Sequence, residues 1–387
     1  MFGGVQETFS DIDSKYMNEP FCNNLKDMAK PKIAISILSQ TNTALPVLLY
    51  IKETIHLYDK VILLINSQHL AHKKSRVESE EAIKYLSRLI NPTSTIKVLN
   101  SSLPSELIIS NNRFKKILEI WDYRKQLKQE ISEIVGKPLA QLSCTFVSDT
   151  GIRNLCLFGI MPLNAQLIFV PHEMRHHTEY SSDKHARYWG VGNRNENKDQ
   201  RFERFKQWLF YKLCGCSIPK LYSPNLEYIF HISYNNRLEW CKNLEILDYV
   251  HDECYYKKIA KNCFGDISSE KKELAVLVII SQASNAPGGK DAYLRKYKEA
   301  LSDLYDFLPN FRIYVKPHPQ ELGMWDEYTA YFAKNASYSV SRNRKYIWLP
   351  CELLFALHKF DHVIVHGSGG GIVAKEMYSL PITEISL

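Results

Sequence analysis

The sequence predicts an α/β protein made of two doubly wound domains in series, and three observations predict it. Short, continuous apolar runs alternate with stretches of helical periodicity, first from Lys32 and again from Leu274. Such buried strands, separated by helices, mark a parallel sheet covered on both faces. The stretch between the two series breaks the rhythm, and 387 residues suit two or three domains at about 100–200 residues each.

In the first series, residues 33–38 (Ile-Ala-Ile-Ser-Ile-Leu) read as a buried strand, followed by a helix over 43–57 with Pro46 in its first turn, where its missing N–H does no harm. A strand at 61–65, a helix at 78–90 and a strand at 95–99 follow, each set by its period. Residues 112–135 form a long helix, then come a strand near 142–147, a helix near 151–158 and a strand at 166–170. Segment 214–268 offers one strand, Tyr228 to Ile232, and otherwise mixed polar and aromatic residues, so the linker falls there. The second series reads as strand 274–280, helix 291–308, strand 311–315, helix 323–334, a short strand at Tyr346-Ile347-Trp348, helix 351–359, strand 362–365, helix 371–378 and strand 382–385. The expected division is an arm over 1–30, an N-terminal domain with linker over 31–265 and a C-terminal domain over 266–387.

Composition excludes several classes. Hydrophobic residues make up 45% and charged residues 24%, the balance of an ordinary globular chain with a normal core. The longest apolar runs fall well short of the ~18–20 residues a membrane span needs. The first residues lack the basic start and apolar run of a secretory signal. Nine scattered cysteines, an odd number, suit buried thiols in a reducing compartment, and the expected location is cytoplasmic. The net charge is +7. Two candidate helices, 112–135 and 198–213, carry apolar residues at helical spacing with lysines and arginines between them. One reading is a core-facing stripe with a solvated basic face. The other is attraction to an anionic membrane surface or an anionic polysaccharide, the inner face of the plasma membrane being the setting for the former. No nucleic-acid module accompanies the charge.

Chemistry concentrates at the ends of the second-series strands. Lys316-Pro317-His318-Pro319 follows strand 311–315 directly. Its prolines cannot extend the ladder, so the strand stops and His318 is presented at its carboxyl end. A histidine there can donate to a phosphate oxygen, and Lys316 adds a point charge. Gly367-Ser368-Gly369-Gly370 follows strand 362–365 and opens a helix. Such a loop brings backbone N–H groups close to an anion, at a helix end that favours negative charge. Glu352, in the first turn of the preceding helix, either compensates the helix dipole or accepts from ribose hydroxyls. Ser281-Gln282 and Pro287-Gly288-Gly289-Lys290 read as a flexible loop at the cleft rim.

A strand ending in His-Pro, then Leu-Pro-x-Glu-Leu-Leu, then a strand and a serine turn resembles the bacterial GT-B sialyltransferases and polysialyltransferases and the related Kdo-type transferases. The likeness covers roughly residues 274–387 and is weak in the N-terminal half. It implies a GT-B-like fold of two Rossmann-type domains facing across a cleft. It also implies that His318 and Ser368 bind the phosphate of a CMP-sugar. The family turn often has adjacent serines, whereas Ser368 is followed by glycines. The family's acidic general base corresponds to Val170-Pro171-His172-Glu173, with one acid rather than two and no glycine. Glu173 is the first base candidate, His172 the second and Asp149 the third. His172, His176 and His177 lack zinc-type spacing, so no metal is expected.

The expected activity is inverting transfer of an acidic sugar, sialic acid or Kdo-like, from a CMP-sugar to a capsule or lipooligosaccharide glycan. The donor is a substrate, and no cofactor is expected. A UDP- or GDP-sugar enzyme, a nucleotide-sugar epimerase and a non-catalytic capsule-assembly subunit are the alternatives.

Overall fold

A computed structural model describes residues 33–67, 70, 73–101, 113–139, 142, 144–148, 166–170, 209, 213, 226–230, 244–246, 253–264, 273–308, 310–334 and 338–386. The expected arm over 1–30, the helix near 151–158 and the base candidates Asp149, His172 and Glu173 lie outside these residues.

The first sheet contains β1 (Ile33–Leu38), β2 (Lys60–Ile65), β3 (Thr95–Val98), β4 (Cys144–Ser148), β5 (Gln166–Phe169), β6 (Leu226–Phe230) and β7 (Leu244–Ile246). Its order is β3-β2-β1-β4-β5-β6-β7, with every pairing parallel. The second contains β8 (Leu274–Ile280), β9 (Phe311–Pro317), β10 (Ser339–Val340), β11 (His362–Val365) and β12 (Ile382–Glu384), in the order β10-β9-β8-β11-β12, again all parallel. In each sheet the order reverses beside the first strand, the arrangement of a doubly wound Rossmann sheet with its ligand crevice at the reversal. The expected fold class is the one found.

The helices are α1 (Thr41–Thr54), α2 (Lys73–Ile90), α3 (Arg113–Val135), α4 (Glu253–Phe264), α5 (Lys290–Phe307), α6 (Trp325–Phe332), a single turn α7 (Lys345–Trp348), α8 (Cys351–Leu357) and α9 (Gly369–Ile372), which a π-helical turn (Val373–Met377) continues. Three expectations change. Pro46 lies in the second turn of α1 because that helix starts at Thr41. Residues 345–348 wind as a turn rather than a strand, and their carbonyl ends bond the Lys316 ammonium instead of a ladder. The presumed linker supplies β6 and β7 to the first sheet, followed by α4.

Strand β8 shows how sequence becomes packing. Its β-branched and aliphatic residues alternate between two cores: Ala275, Leu277 and Ile279 join one cluster, Val276, Val278 and Ile280 another. The first cluster runs on through α4 (Tyr256, Ile259), α8 (Leu353, Leu354, Phe355), α1 and α2, so the two sheets share one apolar core. Each such buried side chain contributes roughly 1.5–3 kcal/mol. Helix α4 is the seam: Tyr255 Oη donates to Glu53 Oε1 at 3.1 Å and Cys263 Sγ donates to the Leu89 carbonyl at 3.4 Å.

The loops after the strands also meet. Gly323, beyond the end of β9, donates its N–H to Ser75 Oγ at the start of α2, 3.2 Å away. A Cβ on Gly323 would lie 2.5 Å from the Ser75 nitrogen, so only glycine permits this approach. Beside it, Trp348 Nε1 donates to Glu78 Oε2 at 3.0 Å, and Arg344 bridges Glu78 at 3.4 Å and Asp326 at 2.9 Å. The carboxyl-edge segments of the two sheets are therefore in direct contact.

Candidate functional site

The site residues predicted in the C-terminal domain gather at the carboxyl edge of the second sheet. Strand β9 delivers Lys316 and His318, the start of α8 delivers Glu352, and the turn after β11 delivers Gly367 to Gly370. Three contacts tie these pieces together. Lys316 Nζ donates to the Leu349 carbonyl at 2.5 Å and the Ile347 carbonyl at 3.3 Å, which fixes the approach to α8. A Cβ on Gly370 would sit 2.7 Å from Cys351 Sγ, so the starts of α8 and α9 lie side by side. Ser281 Oγ donates to the His366 carbonyl, joining the ends of β8 and β11.

His318 is half-buried and caps the 3-10 turn Pro319–Met324, in which Pro319 takes the first position with its fixed φ. The Gln320 N–H donates to His318 Nδ1 at 3.2 Å. That bond requires a lone pair on Nδ1, so the ring proton sits on Nε2, which is the ring's remaining donor. Burial, the largest influence, lowers the imidazole pKa; nearby Lys316 lowers it further, and Glu321 opposes both. His318 is thus a neutral hydrogen-bond donor. Because its folded pKa lies below the unfolded value, the unfolded chain binds the extra proton first. Its contribution to stability is complete above the unfolded pKa and is lost as pH falls from there through the folded one. An NMR titration of the His318 ring is expected to show a midpoint below the usual value of about 6.5. A midpoint at or above that value would contradict the capped, neutral state.

Lys316 behaves differently from the exposed point charge expected of it. Its ammonium is buried, two of its three N–H bonds go to main-chain carbonyls, and burial lowers its pKa against the opposing pull of Cys351 and Glu352. In this arrangement it locks 345–349 onto the end of β9. The glycines after β11 divide their work. Gly367 adopts φ +51, a left-handed turn suited to glycine. Gly370 and Gly371 are small because Cys351 and Val365 crowd them, whereas a Cβ on Gly369 would meet nothing within 4 Å. Ser368 caps α9 by accepting from the Gly370 N–H at 3.3 Å, and its hydroxyl hydrogen is left to donate outward. Cys351 is a packed thiol whose pKa burial pushes up to about 12. Glu352 lies in the first turn of α8, and its carbonyl accepts from Tyr378 Oη at 2.7 Å.

Sequence reasoning missed the group that organises the rim. Glu321, 2% exposed, accepts from the N–H of Ala283 (3.1 Å) and of Ser284 (2.9 Å), from the Ser284 hydroxyl, and from Tyr328 Oη at 2.7 Å. Burial, then that same carboxylate, push the Tyr328 phenol up, so it stays a donor. Gln282 Nε2 donates to Gln320 Oε1 at 2.9 Å across the same gap. The segment expected to be flexible is thus a short turn, Ala283–Asn285, pinned to the turn after β9. An acid following His-Pro reads in sequence as a solvated helix start; only the fold brings four donors to it. His366 was also passed over. Its Nδ1 lies 2.7 Å from the Ile385 carbonyl, so Nδ1 carries the proton there, and its ring meets Tyr293 edge-on.

Two doubly wound parallel sheets, touching along their carboxyl edges, carry this site. Neither a family model nor a curated protein matches the chain. Among solved structures it is similar to the glycotransferase of kitacinnamycin, at 12% identity and a TM-score of 0.45, covering 91% of this chain and 79% of that one. It is similar to CalG4, the calicheamicin glycosyltransferase, at 8% identity and 0.44, covering 92% and 79%. It is also similar to a glycosyl transferase family 9 structure from Veillonella parvula DSM 2008, at 9% identity and 0.31, covering 92% and 81%. At such scores the fold assignment rests on the strand orders themselves.

Among the described residues no group of three or more His, Cys, Asp or Glu is placed to hold a metal ion.

Proposed function

We propose that the protein is a nucleotide-sugar-dependent glycosyltransferase whose second sheet holds the donor. The observation that carries this reading is the His318 geometry: a neutral imidazole, capped on Nδ1 with its proton on Nε2, at the carboxyl end of the strand beside β8, where the sheet reverses. Two strands along in the sheet, beyond the reversal, Ser368 and the open position at Gly369 begin a helix, with the Ser368 hydroxyl hydrogen left to donate. Together they supply neutral donors for a diphosphate or monophosphate ester, which become more favourable as charge develops on the leaving phosphate.

The reaction is a single displacement with inversion. A base in the N-terminal domain takes the acceptor hydroxyl proton; Glu173 is the first candidate, then His172 and Asp149. The acceptor oxygen attacks the anomeric carbon, and the bond to the phosphate oxygen breaks. His318 Nε2–H and Ser368 Oγ–H receive that oxygen's charge, and Glu352 accepts from the ribose. The Leu349-Pro350-Cys351-Glu352 run and the His-Pro pair favour a CMP-linked acidic sugar, sialic acid or Kdo-like, with a capsule or lipooligosaccharide glycan as acceptor. The setting is cytoplasmic, at the inner face of the plasma membrane.

A panel of CMP-, UDP- and GDP-sugars, scored for release of the free nucleotide with and without glycan acceptors, tests the reading. Turnover of CMP-sialic acid or CMP-Kdo is expected. Turnover confined to a UDP- or GDP-sugar would keep the reaction class and overturn the donor. Glycan binding without turnover of any donor would make the chain a non-catalytic assembly subunit.

A further inference from the structure

The structure divides the apolar residues of α3 in a way the sequence pattern did not predict. Ile120, Tyr123, Leu127 and Ile131 are buried, but Leu118 is 64% exposed and Trp121 55%. The Trp121 indole N–H donates to the Leu213 carbonyl at 2.7 Å, which brings a second helical segment alongside. There Leu209 and Leu213, four residues apart and so on one face, are 39% and 48% exposed. These are four of the six large hydrophobic residues exposed among the described residues.

We propose that this outer face of α3, with Leu209 and Leu213 beside it, docks the protein onto an anionic lipid surface. Leu118, Trp121, Lys125 and Lys128 follow a three-four-three spacing, which puts two apolar side chains and then two lysines on one stripe of the helix. The Lys125 and Lys128 ammonium groups meet no carboxylate among the described residues. The nearest acids fall to one flank: Glu119 bridges Lys115 at 3.8 Å, and Asp122, three residues before Lys125, stands about 60° round the helix from it. Because its N–H is already bonded within the protein, the Trp121 ring can enter an apolar layer without losing a hydrogen bond.

Charge and shape together select the occupant. A lipid surface takes the leucines and the indole into its interfacial layer and the lysines against its headgroups. A polyanionic glycan would engage the lysines but leave four large apolar side chains in water. A second copy joined about a twofold axis would bring the lysine stripe against its own like charges. Among the described residues no helix is long and apolar enough to cross a membrane, so the surface lies on the bilayer. This inference names the contact face of the membrane setting proposed above and does not depend on the donor chemistry.

The test is co-sedimentation of the full chain with phosphatidylcholine vesicles, with and without phosphatidylglycerol. Binding is expected only when phosphatidylglycerol is present, and it is expected to weaken as salt rises. Lys125→Gln with Lys128→Gln should lower the partition coefficient about 30-fold, at roughly 1 kcal/mol per charge. Leu118→Ser should lower it several-fold with no change in the thermal melt, since that side chain is exposed. Equal partitioning of wild type and the double variant, or wild type left in the supernatant, would overturn the proposal. So would retention on dextran sulfate without vesicle binding, or a dimer in sedimentation velocity that Leu118→Ser dissolves. Donor turnover by the same variants in vesicle-free buffer is measured alongside. If turnover is absent while vesicles still bind, the glycosyltransferase reading fails and this one stands.

Discussion

Replacing His318 with alanine is expected to lower kcat for donor turnover by about 10²–10³-fold, the usual loss when one pre-placed donor to a developing oxyanion is removed. Alanine also removes the cap on the 3-10 turn, because His318 Nδ1 accepts the Gln320 N–H; that costs about 1 kcal/mol of stability. Asparagine separates the two effects. Its side-chain oxygen can take over the cap, yet it places no donor where Nε2–H stood. His318→Asn should therefore regain the alanine variant's lost stability while keeping its catalytic defect. Steady-state kinetics and a urea melt on the two variants decide the matter. Wild-type turnover in His318→Asn would remove His318 from the phosphate site.

Glu321→Ala is expected to be the most destabilising substitution at this edge, at about 3–5 kcal/mol. Its carboxylate is the shared acceptor for two backbone amides, the Ser284 hydroxyl and the Tyr328 phenol. Removing it strands buried donors in a space that water reaches poorly, and each stranded group costs about 1–3 kcal/mol. Glu321→Gln should lose roughly half as much, because one amide oxygen remains to accept while the NH2 confronts the other donors. A urea titration reads both as a fall in midpoint at constant slope. A midpoint within error of wild type for Glu321→Ala would show that the network contributes nothing net.

Four of the second sheet's five strands were legible to within two residues, the inner ones because they are continuous apolar runs ended by chemistry: Pro317 stops β9, and the glycine turn follows Val365. The site loops were legible for the same reason, since His-Pro and Gly-Ser-Gly-Gly announce themselves at strand ends. Two kinds of feature were not. The short edge strands β7 and β10 lie in polar sequence, where pairing with β6 and β9 rather than local pattern decides the structure, whereas β6 was read two residues late, at 228–232. The roles of Lys316 and Glu321 depend on carbonyls and amides 31 to 38 residues away in sequence, which no local spacing records. Lysine beside a phosphate-binding motif reads as a ligand; its burial against Ile347 and Leu349 makes it a clamp. The apolar residues of α3 were visible, but which of them face outward depends on neighbours.

The turn after β9 has its two ends in different neighbourhoods. His318 caps its start at the end of β9, and Gly323, five residues on, rests against the start of α2. Between them Pro319 fixes its own φ and Glu321 is bonded to Ala283, Ser284 and Tyr328, so the segment is held along its length. The one turn therefore ties the end of β9 to the start of α2, and so the second sheet to the first.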